Sequence, residues 1–165
     1  MGEFEAIVRE HQPRLLRYAN RLLRDTDSAQ DVVQEAFLKL LREPPRDDND
    51  TRLSNWLYRV THNLCVDFIR KESRMRNHQE AIEAEESEAP FEKMFDAEDA
   101  RGRVEYALIR LSENQRAALI LRIYEGKSYR EIADITGMSV SNVGFHIYQG
   151  LKKAAAILRG KEQAS

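Results

Sequence analysis

Cysteine, proline and glycine are all scarce in this chain of 165 residues, which has one cysteine, four prolines and seven glycines. A single cysteine cannot form an internal disulfide, so the sequence indicates a reducing compartment such as the cytoplasm. Few helix breakers, together with abundant Leu, Ala, Arg and Glu, predict an all-α protein. No apolar run approaches the about 20 residues of a membrane-spanning helix, and the N-terminal MGEFEAIVRE is not a signal peptide, so no membrane insertion is expected.

Sequence motifs of catalysis are missing as well. The chain has no Gly-rich phosphate loop, no G-x-S-x-G and no H-E-x-x-H. Its four histidines have no metal-like spacing with one another or with Cys65. Cys65 stands among Leu64, Val66 and Phe68, which is typical of a buried thiol. We therefore expect neither an active site nor a metal nor a cofactor.

Acidic residues are concentrated in one segment, although the net charge of the whole chain is only −2. Residues 1–79 carry a net charge of +1, whereas residues 80–100 hold nine acidic residues and one basic residue. Residues 101–165 carry a net charge of +5, which suits a nucleic-acid partner. The sequence therefore predicts two small helical domains and an acidic linker, with boundaries at 1–78 for the first domain, 79–100 for the linker and 101–165 for the second domain.

Four helices are expected in the first domain, and apolar periodicity locates three of them. The first carries an apolar stripe from Phe4 to Leu23, and the third has Leu57, Leu64 and Phe68 inside. Pro13 is expected to break the first helix mildly, and Asp27 or Ser28 is expected to cap the second. Pro44-Pro45 would end the second helix, a polar loop would follow over 46–51, and Ser54 would cap the third helix.

Residues 128–153, SYREIADITGMSVSNVGFHIYQGLKK, have the spacing of a helix-turn-helix. Ser128 can cap a helix with Glu131 completing a capping box, and Gly137 falls where the turn needs a positive φ. Ser139 can cap a second helix, which would be free to enter a major groove. An ordinary helical hairpin is the alternative. The buried stripe of this second helix is expected at Val140, Val143, Ile147 and Leu151.

Two further helices are expected ahead of the helix-turn-helix. One covers about residues 97–111, and the next begins at Ser112, whose capping box is completed by Gln115, and ends at Gly126. Three large apolar residues in the acidic linker either start the first of these helices or dock on a partner: Phe91, Met94 and Phe95.

Two separated motifs give the chain a family resemblance. The first is DSAQDVVQEAFLKLLR (27–42), followed by NWLYRVTHNLCVDFIRKESR (55–74). The second is ALIRLSENQRAALILRIYEGKSYREIADITGMSVSNVGFHIYQGLKK (107–153). Together they resemble the bacterial extracytoplasmic-function (ECF) sigma factors of the σ70 family. The helix-turn-helix alone is shared by many regulators, whereas both motifs in this order are specific.

The resemblance implies a non-enzymatic transcription initiation subunit. Such a sigma factor binds core RNA polymerase at the β′ clamp and the β flap, recognises the −10 and −35 elements of promoter DNA, and promotes strand opening. The family also implies an anti-sigma factor as a partner. In the family the linker threads the active-site cleft and the RNA exit path, where its negative charge can imitate RNA.

The second helix carries the implied polymerase contacts. Asp31, Gln34, Glu35 and Leu38 are spaced i, i+3, i+4 and i+7 and so share one stripe. In the family this stripe docks on the β′ clamp coiled coil, with Leu38 and Phe37 packing at the centre. The alternative is a solvated helix face with Phe37 in the core.

The third helix and the loop before it would bind the −10 element. Opening DNA requires pockets for unstacked bases and positive charge along the single strand. The cations Arg59, Arg70, Lys71 and Arg74 suit the strand backbone, and His62 and Asn63 suit base edges. In the family, the loop over 46–55 captures a flipped base. Trp56 is expected to be structural. The implied residues are Asn49, Thr51, Ser54, Asn55, Arg59, His62, Asn63, Arg70, Lys71 and Arg74.

The helix-turn-helix would bind the −35 element with fewer cations than many relatives carry, because the recognition helix is uncharged until Lys152. Asn and Gln side chains favour adenine edges, and Phe can contact a thymine methyl. Lysines, Arg130 and helix N-termini would clamp phosphates. The implied residues are Lys127, Arg130, Ser139, Ser141, Asn142, Phe145, His146, Gln149, Lys152 and Lys153.

Two other functional classes remain open. A stand-alone helix-turn-helix regulator would explain residues 107–153 but would leave residues 27–74 unexplained. A sigma-like decoy would bind an anti-sigma factor without initiating transcription. Known decoys of this kind are fused to a receiver domain, and the chain has no β/α alternation to form one.

Overall fold

The computed structural model describes residues 2–46, 49–80 and 100–164, and every regular element in these ranges is helical, as the composition predicts. No helix in these ranges is long and apolar enough to cross a bilayer. Of the acidic linker predicted over 79–100, residues 81–99, with Phe91, Met94 and Phe95, lie outside the described residues, and residues 79, 80 and 100 are helical. The elements are α1 (Glu3–Leu23), α2 (Thr26–Arg42), α3 (Asp50–Glu80), α4 (Ala100–Ile109), α5 (Glu113–Leu119), a π-helix (Ile120–Tyr124), α6 (Tyr129–Thr136) and α7 (Val140–Ala164).

The first domain is built from α1, α2 and α3, each of which packs against the other two. On α1 the buried residues Leu15, Tyr18, Ala19 and Leu22 follow the i, i+3, i+4, i+7 spacing of one helix face. Burying each large apolar side chain stabilises the fold by about 1.5–3 kcal/mol relative to leaving it exposed. The α2 and α3 residues that meet this face include Val33, Phe37, Leu57, Tyr58 and Cys65.

Cys65 is a fully buried free thiol, as predicted, and burial raises its pKa to about 12. A thiol in this state stays protonated at neutral pH and is a poor nucleophile. The cysteine therefore acts as a small apolar core residue.

The helix ends of the first domain differ from the prediction. Residues 2–46 and 49–80 contain three helices rather than four, and α1 runs through Pro13 without a break. Pro13 is exposed, so water can replace the backbone hydrogen bond that proline lacks. The cap of α2 is Asp25, not Asp27 or Ser28, because Asp25 has an extended backbone and its carboxylate accepts from the N–H groups of both those residues.

The start of α3 also corrects the prediction of a loop over 46–51. The helix begins at Asp50, so Thr51 is helical and Ser54 lies inside the helix instead of capping it. Asn49 acts as the cap, because its Oδ1 accepts from the N–H of Thr51 at 2.9 Å. Asn49 and Ser54 are both of residue types that cap helices well. The hydrogen bond from the Thr51 N–H to Asn49 is the contact that places the cap at Asn49.

The second domain follows its predicted capping pattern closely. Both capping boxes form: Ser112 with Gln115, and Ser128 with Glu131. The turn between α6 and α7 has Gly137 in the left-handed region with φ of +82°. Ser139 Oγ then accepts from the N–H of Asn142 at 3.1 Å and caps α7. These local bonds orient α6 and α7 as a helix-turn-helix.

The buried stripe of α7 is only partly as predicted. Val143 and Ile147 are buried, whereas Val140 and Leu151 are 47% and 49% exposed. The stripe continues to Gly150, which approaches α5 so closely that a Cβ there would lie 3.0 Å from Leu119 Cδ1. Leu151 is rotated by about 100° from Gly150 around the helix and therefore faces solvent.

We expect stability to fall as the pH is lowered from about 6.5 towards 4, because burial lowers the pKa of His62 to about 4. The unfolded chain would bind a proton near pH 6.5 that the folded chain rejects, which costs about 2 kcal/mol between pH 7.5 and pH 5. Urea unfolding of wild type and His62→Gln at both pH values measures this difference. Burial also lowers the pKa of His11, so His11 adds a pH dependence of its own to the stability of both proteins. Equal pH dependence in the two proteins would contradict the burial of a neutral His62.

We expect Gly137→Ala to destabilise the second domain by about 1–2 kcal/mol, because an L side chain is strained at positive φ. A Cβ at Gly137 meets no atom within 4 Å, so the cost comes from the backbone alone. Gly160→Ala is the matched control, since Gly160 is helical and equally open. Thermal unfolding by circular dichroism compares the two, and an equal effect would show that the φ of Gly137 is not a constraint.

Candidate nucleic-acid interface

The helix-turn-helix presents an open face on the N-terminal half of α7. Ser141 and Asn142 are exposed, and the ring of Phe145 is 55% exposed. An aromatic ring so exposed is unusual for a core residue and is available to a partner. The other predicted −35 residues that lie in solvent are Arg130, Ser139, Lys152 and Lys153.

His146 and Gln149 are half-buried, so they reach this face only in part. The Phe145 and His146 rings lie edge to face with centroids 5.5 Å apart. His146 Nδ1 is buried without a hydrogen-bond partner among the described residues. Because buried polar atoms are normally hydrogen-bonded, His146 Nδ1 has an unused capacity for one hydrogen bond.

Arg122 and Tyr129 also belong to this face, and the sequence reasoning missed them. The Arg122 guanidinium lies 5.3 Å from the Tyr129 ring centroid and donates to the carbonyl of Lys127 at 3.0 Å. The Tyr129 ring packs against α7 at Gly144. Arg122 lies in the π-helix, outside the motif, so no spacing pattern in the sequence brings it to α7.

The exposed surface of α3 carries part of the predicted −10 site. Asn63, Arg70, Lys71 and Arg74 are exposed along its length. Arg70 and Arg74 also line an open cleft of about 630 Å³. Asn49 and Thr51 are exposed at the start of the helix. Three cations and an amide therefore lie along one accessible helix.

His62 does not lie on this surface, so the prediction that it reads base edges from the outer face of α3 is wrong. The side chain is buried, and its Nδ1 is 2.8 Å from the Tyr18 hydroxyl. Burial keeps its pKa low, so the ring is neutral. The register of α3 turns His62 towards α1, where it forms a polar core pair with Tyr18.

All four residues of the predicted polymerase stripe on α2 are at least partly accessible, whereas Phe37 beside them is buried. Asp31 and Gln34 are exposed, Leu38 is 44% exposed, and the Glu35 carboxylate lies 3.7 Å from Arg42. Phe37 corrects the prediction, because it is buried and meets the Phe4 ring edge to face. The sequence reasoning missed Leu41, which is 57% exposed one turn beyond Leu38 and extends the apolar part of the stripe.

The remaining predicted DNA residues are joined to each other across the two domains. Lys127 Nζ donates to Asn55 Oδ1 at 3.2 Å and to Ser54 Oγ at 3.4 Å. Asn55 Nδ2 in turn donates to Glu131 Oε2 at 3.2 Å. Lys127 was predicted to clamp phosphate, and in this arrangement its ammonium is instead occupied by α3.

The centre of this contact is a hydrogen bond between Tyr58 and Glu125. The Tyr58 hydroxyl donates to Glu125 Oε2 at 2.6 Å, and Arg21 lies 3.9 Å from the other carboxylate oxygen. The Lys127 ammonium stands 4.6 Å from the centroid of the Tyr58 ring. Burial and then the Glu125 hydrogen bond raise the pKa of Tyr58, so its hydroxyl remains a donor. Burial lowers the pKa of Lys127, while Glu131 and Glu125 oppose that shift.

Charged pairs continue the contact at its margins. Arg59, a predicted −10 residue, lies 3.4 Å from Asp134, and Arg24, which follows the end of α1, pairs with Glu105 of α4. Arg116 donates to the backbone carbonyl of Leu22 at 3.4 Å. The two domains therefore meet through polar groups at many points.

Acidic and histidine side chains do not gather into a metal site anywhere within residues 2–46, 49–80 and 100–164. The described surface offers hydrogen-bonding and charged side chains together with exposed apolar ones such as Phe145 and Leu41.

A helix-turn-helix with an open recognition face, beside a second helical domain with a cationic helix, defines a DNA-binding protein. The chain matches the family described as Sigma-70 region 2 over residues 7–75 and the family described as Sigma-70, region 4 over residues 101–153. It belongs to the sigma-70 family, as an ECF sigma factor with regions 2 and 4. Members of this class recognise promoters for RNA polymerase at transcription initiation and are not enzymes.

Curated relatives agree with this family. The chain is 30% identical over 155 residues to the ECF RNA polymerase sigma factor SigE of Mycolicibacterium smegmatis, covering 91% of this chain and 59% of that protein. It is 29% identical over 158 residues to the RNA polymerase sigma-H factor of Pseudomonas aeruginosa, covering 88% and 81%. The chain thus spans less than two thirds of the length of SigE.

The fold also matches a solved structure. The sigma factor RpoE of Bartonella quintana, crystallised in complex with the anti-sigma factor NepR, superposes with a TM-score of 0.69. The match covers 96% of this chain and 98% of that one at 21% sequence identity. At this identity the likeness is one of fold.

Proposed function

We propose that this chain binds core RNA polymerase through α2, holds the opened −10 strand along α3 and reads the −35 element with α7. The observation that carries the proposal is the accessible face of α7, with Asn142, Phe145 and Lys152 in solvent on a helix-turn-helix. A subunit with these tasks works where the chromosome and the polymerase are, in the bacterial cytoplasm.

The α2 stripe supports the polymerase contact. Asp31, Gln34 and Glu35 offer hydrogen-bonding and negative groups, while Leu38 and Leu41 offer apolar area in solvent. Protein interfaces combine such an apolar centre with a polar rim. The β′ clamp is the proposed partner of this stripe, and the β flap is the proposed partner of the second domain.

The exposed cations of α3 support single-strand binding. Arg70, Lys71 and Arg74 can follow a phosphate backbone, and the Asn63 amide can hydrogen-bond a base edge. Asn49 and Thr51 stand at the start of the same helix. Bases flipped out of the duplex need hydrogen-bonding groups such as these beside a positive track.

An anti-sigma factor is a further proposed partner. The supporting observation is the shared fold with a sigma factor that was solved in complex with NepR. A stand-alone helix-turn-helix regulator is the weaker alternative, since it does not account for the match to region 2 over residues 7–75. A decoy would bind the anti-sigma factor and give no transcript.

Run-off transcription with core RNA polymerase tests the function and the α2 stripe together. We expect promoter-specific transcripts with wild type. In a titration with core polymerase we expect about tenfold weaker affinity for Gln34→Ala/Glu35→Lys, because the double change removes a hydrogen-bonding group and reverses a charge within the stripe. Glu5→Lys is the matched charge control on the exposed first turn of α1. Absence of specific transcripts with wild type would refute the function, and unchanged affinity of the double variant would refute the docking stripe.

Two substitutions on α7 separate base reading from phosphate binding. Gln149→Ala should cost about 1–3 kcal/mol at one base position and relax the preference there, since Gln pairs with a base edge. Lys152→Ala should weaken all sequences almost equally and reduce the slope of log affinity against log salt by about 0.9. Transcription from a promoter library measures both effects. A uniform loss from Gln149→Ala would show that the assigned register of the recognition helix is wrong.

A further inference from the structure

The recognition helix α7 carries two exposed aromatic rings one turn apart. Phe145 is 55% exposed and Tyr148 is 63% exposed, and no other aromatic residue in the described part of the chain is as exposed as these two. Residues three apart on a helix are surface neighbours, so the two rings lie side by side. Tyr148 is not among the residues proposed above to bind the −35 element. Large apolar side chains that stand in solvent as a pair indicate a binding surface.

The aromatic pair lies in the middle of the face that α7 turns away from its own domain. The helix packs against α4, α5 and α6 through a buried side that includes Val143 and Ile147. The opposite side is an outer stripe with the spacing i, i+4, i+7 and i+11, formed by Ser141, Phe145, Tyr148 and Lys152. In a helix-turn-helix the outer side of the second helix is the one that enters the major groove.

The side chains around the pair suit A·T base pairs. No Lys or Arg lies between Val140 and Leu151, and these are the side chains that most often read guanine through its O6 and N7 atoms. Apolar groups instead distinguish thymine by its C5-methyl group. Asn142 and Gln149, three residues before Phe145 and four after it, carry amides that can pair with adenine N6 and N7. An A·T pair presents both the methyl group and these adenine atoms in the major groove.

We propose that Phe145 and Tyr148 read thymine methyl groups, so that the −35 element of this chain contains two neighbouring A·T pairs recognised by an aromatic pair. This inference rests on the proposed function, because it names the bases that the same face of α7 would read. Three residues of helix rise by about 4.5 Å, which is close to the about 3.4 Å between successive base pairs. Two neighbouring pairs are therefore within reach of the two rings.

Neighbouring aromatic rings support the pair on its helix. The Phe145 ring meets the His146 ring edge to face, with the centroids 5.5 Å apart. The Tyr129 ring lies against α7 at Gly144, one turn before Tyr148, where a Cβ would be 3.5 Å from Tyr129 Cε2. Side chains that are already held in place lose less conformational entropy on binding. A supported pair of rings can therefore discriminate between bases that differ by one methyl group.

A protein partner is the other class of ligand that an exposed aromatic pair could bind. The outer stripe begins at Ser141 and ends at Lys152, and both residue types are depleted at protein interfaces. Lys152 and Lys153 are exposed one turn beyond the rings, where cations can bind phosphates beside the groove. The surroundings of the pair therefore favour DNA.

The experiment removes the methyl groups from the DNA. Duplexes with a randomised −35 region are selected by the full chain with core RNA polymerase and, separately, by the full chain alone. We expect neighbouring A·T pairs at enriched positions. Each enriched thymine is then replaced by deoxyuridine, which lacks only the C5-methyl group. The affinity should fall by about fourfold for each methyl group that a ring contacts, as expected for returning one such group to water.

Protein variants then show which rings are responsible. In Phe145→Ala/Tyr148→Ala the ratio of the affinities for thymine and uracil duplexes should fall to about one, because no ring remains to contact the methyl group. Tyr148→Phe keeps the ring and should keep the wild-type ratio, which separates apolar contact from a hydrogen bond of the hydroxyl. Leu151→Ala is the matched control, since it removes an exposed apolar side chain of α7 outside the outer stripe and should leave the ratio unchanged.

Each outcome decides the inference. A preference for thymine in wild type that disappears in the double alanine variant supports it. A ratio near one in wild type overturns it whatever the variants do, and so does a selection that enriches no sequence. Equal loss of affinity for thymine and uracil duplexes in the double variant also overturns it, because the rings would then contact a protein or the DNA backbone. The proposed function fails separately, if the chain gives no promoter-specific run-off transcript while duplexes selected by the chain alone still show the thymine preference.

Discussion

The Tyr58–Glu125 hydrogen bond lies at the centre of the contact that sets the arrangement of the two domains. The Tyr58 ring belongs to the first domain, where it meets Tyr18 edge to face. Its hydroxyl reaches the second domain and donates to a carboxylate whose side chain is only 5% exposed. A buried carboxylate needs such a donor, because an unsatisfied one costs several kcal/mol. One side chain therefore couples the core of one domain to the position of the other.

Each domain is stabilised internally in a different way. The first domain depends on three long helices with continuous apolar stripes, so its stability comes from packed area. Apart from α7, the helices of the second domain are shorter, and α5 and α6 span only seven and eight residues. Helices of this length need local capping, which Ser112 and Ser128 supply through their boxes. The helices that support α7 thus depend on capping hydrogen bonds, each between residues three apart in sequence.

How well a feature could be predicted follows from the range of the interaction behind it. The capping boxes, the left-handed Gly137 and the burial of Cys65 depend on residues close in sequence, and the structure confirms them. The cap of α2 was misplaced because Asp25, Asp27 and Ser28 are all good caps and only the backbone angle of Asp25 selects it. His62 was misassigned because its exposure depends on Tyr18, which lies 44 residues away in the chain.

The sequence by itself determined the helical class, the helix-turn-helix and the family, because these depend on periodicity, capping residues and motif spacing. It also marked Asn55, Arg59 and Lys127 as residues with chemistry suited to DNA. Only the tertiary structure decided that these groups face one another. Hydrogen bonds such as Lys127 to Asn55 join positions 72 residues apart, and no local pattern encodes such a pairing. Whether a polar side chain faces water, DNA or its own chain is decided by the packing of the two domains.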